Sequence, residues 1–497
     1  MFDRKLFTAF YLVSTLLLST SVARSNDLTL RSLGAVGDGK TDDRAAIQEA
    51  LIKANGSPID GEGATYAVHG NIDVHVDVNL RNATLVQTMA PVDVSKYIKS
   101  AQGNSTPTVE PAEALHSMVG PLPLMHPHGV ASYSEDPVLN AEEAAALLPS
   151  IHLRTLAISG SQEKPVSVRL EKVRIFRGNH AETGGGEGGA IIVDYAGPVI
   201  MNDVEVTGDG KGAGIWITNS SKVRLERLHV HDMNWSPYAG DNIFETTSVK
   251  SIKEDFSWNT FPIYQFNSAR NQFVRVRIQE QIAGIQIFYC DDVQVLNSRV
   301  ERLQTRIGDR LYPLQADGMT ATNVTNFAVR NCHFSEVWEG IDFNGNKDDS
   351  FVCEDCTASD TLTFGFKLAH PKRNGKLINC TAHRAGGAGF VMEPEVENIE
   401  FVGCHALETG ANGFWTKDDG QRLMTISGFR LGVNTALATP THIKLKNCTA
   451  INIGHPGAMD FGFACESGIN PVDRDITATE CTVEGAKVDG IVGFATN

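Results

Sequence analysis

Aromatic residues are scarce in this chain: Trp, Tyr and Phe together make up 7% of its 497 residues. Basic residues are outnumbered too, 43 Lys and Arg against 59 Asp and Glu, which leaves a formal net charge of −16. That deficit argues against broad, non-specific binding to nucleic acid or anionic lipid, since both need a positive field. Charged residues as a whole reach only 21% while apolar ones reach 42%, so the composition is not that of a disordered chain. Beyond the first 23 residues no apolar run approaches the roughly 20 residues that span a bilayer. A glycine-rich phosphate loop and a Ser-His-Asp spacing are also missing. Glycine, in contrast, is plentiful at 46 residues, and with short apolar runs it suits many brief strands and tight turns.

Residues 1–23 have the three parts of a secretory leader: Arg4 and Lys5, an apolar run from Leu6 to Leu18, and the small-x-small site Ser21-Val22-Ala23. They predict a signal peptide and a mature chain that is secreted or periplasmic, free of the membrane once cleaved. Nine cysteines in an exported chain would ordinarily suggest disulfides. Yet Cys332, Cys356, Cys380 and Cys404 recur every 24 residues, and Cys448 and Cys481 continue the series after longer gaps. A ladder of fixed period implies stacked equivalent positions. Adjacent strands lie roughly 4.8 Å apart with parallel side chains, whereas a disulfide needs Cβ atoms at about 3.8 Å turned towards each other. The ladder therefore reads as buried thiols acting as small core residues. Cys353 shares a two-residue spacing with Cys356, but Cys356 belongs to the ladder, which argues against a redox pair.

The surroundings repeat as well. Asn331, Asp355, Asn379, Gly403 and Asn447 precede the cysteines, positions suited to a left-handed turn. Between them stand Gly340-Ile341, Gly365-Phe366, Gly389-Phe390 and Gly413-Phe414, with earlier echoes at Gly214-Ile215, Gly284-Ile285 and Gly318-Met319. Alternating runs such as Val204-Glu205-Val206, Val223-Arg224-Leu225, Val274-Arg275-Val276 and Val293-Gln294-Val295 read as strands with the apolar residues inward. About three short strands in each period predict an all-β, right-handed parallel β-helix, a solenoid in which each coil buries its inner face only by stacking on the next. The leucine consensus of the rival horseshoe repeat is absent.

Residues 33–51, LGAVGDGKTDDRAAIQEAL, predict a short amphipathic helix with Thr41 as its cap, closing the open end of the solenoid. With Asp60-Gly61-Glu62-Gly63 and Ala64 to Val68, this stretch resembles the opening motif of the pectate lyase superfamily, the rhamnogalacturonase/epimerase-like pectate lyase domain. The resemblance covers the cap in detail and residues 165–497 in pattern only. It implies the β-helix fold; its members include lyases, glycoside hydrolases, epimerases and phage tailspikes. The expected organisation is a leader at 1–23, a cap and first coil at 24–87, an insertion or lid at 88–150, and the β-helix proper at 151–497. A second insertion, Lys417 to Thr441, accounts for the wide gap between Cys404 and Cys448.

Stacking turns sequence offsets into neighbours. The second residue after each signature glycine should fall in one outward column: Trp216, Gln286, Thr320, Asp342, Lys367, Val391 and Trp415. Tryptophan faces stack on sugars, so this column is the expected groove for a polysaccharide partner, with Glu393 and Lys417 beside it. The coil at 361–384 holds Lys367, Lys372, Arg373, Lys376 and Arg384 and no acid, between acidic neighbours. It reads either as charge complementarity between stacked turns or as a cationic subsite for a uronate. In the second case β-elimination follows: Arg373 grips the sugar carboxylate while Lys367 or His370 removes the C5 proton, with Asp342 orienting Lys367.

The rival chemistry is hydrolysis by two carboxylates roughly 5–10 Å apart. Asp317-Gly318 resembles the Asn-Thr-Asp-Gly segment of polygalacturonase-like hydrolases, which implies a catalytic Asp317. That family's Asp-Asp pair and its Gly-His-Gly and Arg-Ile-Lys motifs are absent, leaving Asp342 or Glu339 as a divergent partner. For a metal, Asp348-Asp349 and Glu393-x-Glu395 could supply oxygens to calcium, an aid to uronate lyases that the resemblance brings in. His229-x-His231-Asp232 puts two imidazoles on one strand face, but no further ligand is fixed by spacing, so no zinc site is assigned. The aromatic stretch 233–264, with Trp235, Tyr238, Trp258 and Tyr264, reads as a sugar-binding loop or as loop anchors. The expectation is an exported enzyme on an acidic polysaccharide, a lyase before a hydrolase or C5-epimerase, with a non-catalytic glycan-binding or adhesin-like solenoid as the other class.

Overall fold

The computed structural model describes residues 28–88, 155–177, 189–208, 213–233, 260–267, 272–279, 281–303, 305–307, 310–312, 315–345, 350–369, 373–393, 395–413, 415, 425–432, 440–465, 472–492 and 495–496. The leader at 1–23 and nearly all of the expected lid at 88–150 lie outside them. Within them the strands stack in parallel into a β-helix. One face is a twelve-stranded sheet running from Ile72–Val74 through Ile215–Thr218, Ile341–Asn344 and Phe364–Ala369 to Val488–Val492. We call this the first face. From Ile215–Thr218 to Phe461–Cys465, the chain turns after each strand of this face into a strand of a second face, such as Ser221–Glu226 or Arg373–Ile378, and then into a three-residue strand of a third, such as His229–His231 or Thr381–His383.

The repeat seen in the sequence is the coil. Cys332, Cys356, Cys380, Cys404 and Cys448 are buried between the second and third faces, and all nine cysteines are free thiols. Their Sγ–H groups point at carbonyls one coil back, as from Cys404 to Leu377 O at 3.3 Å and from Cys380 to Cys353 O at 3.4 Å. The residue before each takes the left-handed conformation, with φ of 51° at Asn331, 52° at Asp355, 51° at Asn379, 62° at Gly403 and 53° at Asn447. The amides stack as well: Asn331 Nδ2 donates to Asn297 Oδ1 at 2.8 Å and Asn379 Nδ2 to Asp355 Oδ1 at 3.2 Å. Behind the signature glycines runs a column of phenylalanines. Phe366, Phe390, Phe429 and Phe463 stack at centroid spacings of 5.0, 4.6 and 4.7 Å. The glycines themselves are sterically required, because a Cβ on Gly365 would lie 2.6 Å from both Ala382 Cβ and Gly389 O.

Three expectations need correction. The helix spans Arg44–Ala54 and is entered through Asp43, not Thr41. The Asp43 carboxylate accepts the Val36 and Gly37 amides at 2.6 and 2.9 Å, so it pins the preceding loop, while Thr41 hydrogen-bonds Asp38. Val274-Arg275-Val276 belongs to no coil: Gln272–Gln279 pairs antiparallel with Thr260–Asn267 as a hairpin inserted between two coils. Gly413-Phe414 is not a coil signature either. The strand that follows Ala388–Met392 on the first face is Ser427–Leu431, with Gly428-Phe429 in register.

The stacked core predicts graded losses in chemical denaturation. Phe390→Ala should cost about 3–5 kcal/mol. Gly365→Ala should cost about 1–3 kcal/mol through overpacking. An unchanged midpoint in Gly365→Ala would show that the close approach at this column is not needed.

Candidate functional site

The outward column of the first face forms through pairwise register. Trp216 lies beside Gln286, Gln286 beside Thr320, Thr320 beside Asp342, Asp342 beside Lys367, and Lys367 beside Val391. The next member is Arg430, not Trp415. Trp415 instead donates its indole N–H to Leu362 O at 2.9 Å and packs edge-on against Trp338, so it anchors a loop. Lys417 and His370 lie outside the described residues, as do Lys372, Asp348, Asp349, Trp235, Tyr238 and Trp258 and the side chain of Tyr264.

A local irregularity adds two carboxylates to the column. Gly318 and Met319 both face the core: a Cβ on Gly318 would meet Phe334 Cδ1 at 2.6 Å, and Met319 is buried in the apolar cluster. Strict alternation is thereby broken, and the residue before the glycine points to the same side as the residue after Met319. Thr320 Oγ1 accordingly donates to Asp317 Oδ2 at 3.0 Å. One coil on, Glu339 stands before Gly340 as Asp317 stands before Gly318, and the coils are joined by the Gly318 amide donating to Glu339 O at 2.8 Å. Asp317, Glu339 and Asp342 offer carboxylate oxygens that lie within 4.8 Å of one another.

Lys367 closes the group. Its Nζ is 3.4 Å from Glu339 Oε2, 3.5 Å from Asp342 Oδ2 and 3.6 Å from Glu393 Oε1. Burial alone would lower its pKa; Asp342, Glu339, Glu393 and Asp317 outweigh burial and hold it well above the usual lysine value. Lys367 is therefore a fixed cation. For Glu339, burial is the largest influence and raises the carboxyl pKa; Lys367 opposes it, Asp317, Asp342 and Glu393 add to it, and the result is well above the ordinary value. Asp342 Oδ2 accepts from Asn344 Nδ2 at 2.7 Å, while its buried Oδ1 has no hydrogen-bond partner among the described residues. Side-chain exposure is 2% at Asp342 and 4% at Glu339 but 14% at Lys367 and 25% at Glu393, so the last two are where the cluster meets solvent.

Arg373 is elsewhere. It opens the second-face strand of its coil and its Nε lies 3.1 Å from Glu397 Oε2, directly in register on the next coil. Lys376 does the same with Glu400 at 2.7 Å. The acid-free coil is thus matched to its acidic neighbours, turn against turn, and it presents no joint Arg373–Lys367 grip. The three carboxylates are close enough to share a cation, but Lys367 fills that role at two of them, and six to eight calcium ligands would have to gather around an ammonium. Calcium does not fit this arrangement. Glu395 lies in an exposed turn at φ 65°.

Two family models match the chain. One, described as a right handed beta helix region, covers residues 265–431; the other, described as the N terminal extension of bacteriophage endosialidase, covers residues 35–86. No curated protein matches it. Among solved structures, the mannuronan C-5 epimerase AlgE4 A-module of Azotobacter vinelandii is similar over 95% of this chain and 99% of its own, with a TM-score of 0.52 and 11% identity. The Dettilon tailspike protein is similar over 94% of this chain and 68% of its own, with a TM-score of 0.50 and 10% identity. The chain is a right-handed parallel β-helix.

The raised Glu339 carboxyl predicts a pH dependence of stability. The folded protein keeps a proton that the unfolded chain gives up around the ordinary value of 4.5, so the native state binds the extra proton. Stability should then fall as pH rises above about 4.5 towards the raised value of the folded state, and Glu339→Gln should flatten that slope. Equal slopes for the two proteins in urea titrations across the window would show that Glu339 ionises normally.

Proposed function

We propose that the chain is a glycan-cleaving enzyme that works by hydrolysis through the carboxylates of the first face. One observation carries the reading: Asp317, Glu339 and Asp342 converge within 4.8 Å, and one of them, Glu339, keeps its proton above the ordinary carboxylate range. A carboxyl group that keeps its proton beside a second carboxyl group is the arrangement of a general acid and its partner. In this reading Glu339 donates its proton to the glycosidic oxygen as the bond to the anomeric carbon breaks. Asp342, with Oδ2 held by Asn344 and Lys367 and Oδ1 without a hydrogen-bond partner among the described residues, attacks that carbon and forms a glycosyl ester. Water, deprotonated by the now ionised Glu339, then releases the sugar and restores both groups. Carboxylate oxygens within 4.8 Å of one another favour this retaining course, since inversion leaves about 6.5–9.5 Å for a water. Asp317 steadies Thr320 and adds to the field that keeps Glu339 protonated.

Elimination fares less well. With Lys367 as base it needs an unprotonated amine and a cation free to grip a uronate, whereas Lys367 is held protonated among three carboxylates and Arg373 is paired on another face; His370 lies outside the described residues. With Glu339 protonated, Asp317, Asp342 and Glu393 still outnumber Lys367 in the cluster and disfavour a uronate there, so the substrate class becomes a neutral or weakly charged glycan. The fold shared with a mannuronan C-5 epimerase module and a tailspike supports a glycan as partner.

Incubation with a panel of neutral and uronate polysaccharides should yield new reducing ends without the ultraviolet absorbance of an unsaturated sugar. Glu339→Gln should lower turnover by about 10²–10⁴-fold, and Asp342→Asn should abolish it. An absorbing product, or full activity in both variants, would overturn the assignment. Retention of polymer without cleavage would point to glycan binding alone.

A further inference from the structure

On the third face, far along the coil from the carboxylate cluster, the structure gathers a second group that no step above uses. His229 and His231 leave the strand His229–His231 on the same side, with ring centroids 3.9 Å apart and planes inclined by 23°. Glu205, in register with His229 on the preceding coil, adds a carboxylate to the pair. One ligand atom from each of Glu205, His229 and His231 lies within 4.8 Å of the other two, and Glu205 Oε1 is 3.3 Å from His231 Nε2.

The supporting contacts leave the inner atoms of two of these groups available. His231 Nδ1 is 2.7 Å from Asp232 Oδ2, and Asp232 is itself clamped by Arg302 Nε and NH2 at 2.5 and 2.9 Å. Held in this way by Arg302, Asp232 Oδ2 is placed as the acceptor for a His231 Nδ1–H. With Nδ1 carrying the hydrogen, Nε2 presents a lone pair towards Glu205 Oε1, which is an acceptor too. Two acceptors at 3.3 Å require a shared proton or a shared metal ion between them. Glu205 is oriented through its other oxygen, since Arg174 Nε holds Oε2 at 3.1 Å. A carboxylate behind a histidine, fixing its tautomer and aim, is the usual support of a metal-ligating imidazole. Glu301 also reaches the site: its Oε1 is 3.1 Å from His229 Nε2 and 2.9 Å from Arg302 NH1.

We infer that Glu205, His229 and His231 form a binding site for a borderline divalent transition metal of the zinc class. Two imidazoles and one carboxylate suit zinc, cobalt or nickel and disfavour calcium and magnesium, which prefer all-oxygen shells. Three protein ligands leave a coordination position, and Glu205 and His229 both line an open depression of about 430 Å³ in the surface. Lys172, Arg174 and Arg227 line the same depression, Arg227 paired with Asp203 and Arg174 with Glu205.

The test uses the full chain, dialysed against a chelator and titrated with ZnCl2 by calorimetry and with CoCl2 by visible absorption. One zinc should bind per chain, with excess CaCl2 or MgCl2 failing to compete. The cobalt spectrum should show nitrogen and oxygen ligation without thiolate charge transfer. Glu205→Gln and His231→Gln should each remove the binding, and Asp232→Asn should weaken it about 10- to 100-fold as a supporting residue. Should one ligand variant fail to fold, the others and the cobalt spectrum still decide. Absence of zinc binding, a thiolate band that traces the metal to the free cysteines, or affinity unchanged in Glu205→Gln and Asp232→Asn would overturn the site. Activity on glycans plays no part in the readout, so the outcome is independent of the hydrolysis reading.

Discussion

Lateral pairing between successive coils governs this molecule. Parallel strands held roughly 4.8 Å apart force each side chain to lie against its equivalent one coil away. Like therefore stacks on like where that is favourable: Phe390 lies between Phe366 and Phe429, Cys380 lies in line with Cys356 and Cys404, and asparagine amides bond in ladders. Where like on like is unfavourable, the same constraint demands alternation. A charge repeated on every coil would face copies of itself at that spacing, so the coil bearing Lys367, Arg373 and Lys376 answers acids above and below it.

That compensation is local to each face, and its consequences differ. On the second face the pairs Arg373–Glu397 and Lys376–Glu400 are substantially exposed, and pairs of this kind contribute little to stability. On the first face the same alternation is buried. Three carboxylates and one ammonium share a small volume: the carboxylates hold the Lys367 pKa above its ordinary value, and burial holds that of Glu339 above its own. A packing rule that is nearly neutral on an exposed face thus shifts the pKa values of both Lys367 and Glu339 upward on a covered one.

Much of the fold could be read directly. The cysteine ladder, the left-handed residue before it and the glycine signature each carry a steric requirement that repeats with the coil, so their spacing reports the stack. The column from Trp216 to Lys367 followed from the same offsets. Its continuation did not, because the insertion after Lys417 hides the next strand and two Gly-Phe pairs, at 413 and 428, compete for the position. Only strand pairing selects Gly428 and so brings Arg430 into the column in place of Trp415. Glu339 was visible only as a substitute for a missing aspartate. Its direction depends on two consecutive inward residues, Gly340 and Ile341, which a strict two-residue alternation does not anticipate.

The amino-acid order by itself determined the coil, its period and the side chains that fill it, because those depend on steric demands each residue makes of its own turn. Which charges meet was decided by tertiary structure. Lys367 reaches Asp342 and Glu393 across coils, while Arg373, only six positions on, has already passed to another face. Glu205 meets His231 over 26 residues, and His229 meets Glu301 over 72 because a hairpin intervenes. Electrostatic partnership falls off with distance in space, and inserted segments of unequal length make distance in space independent of distance along the chain.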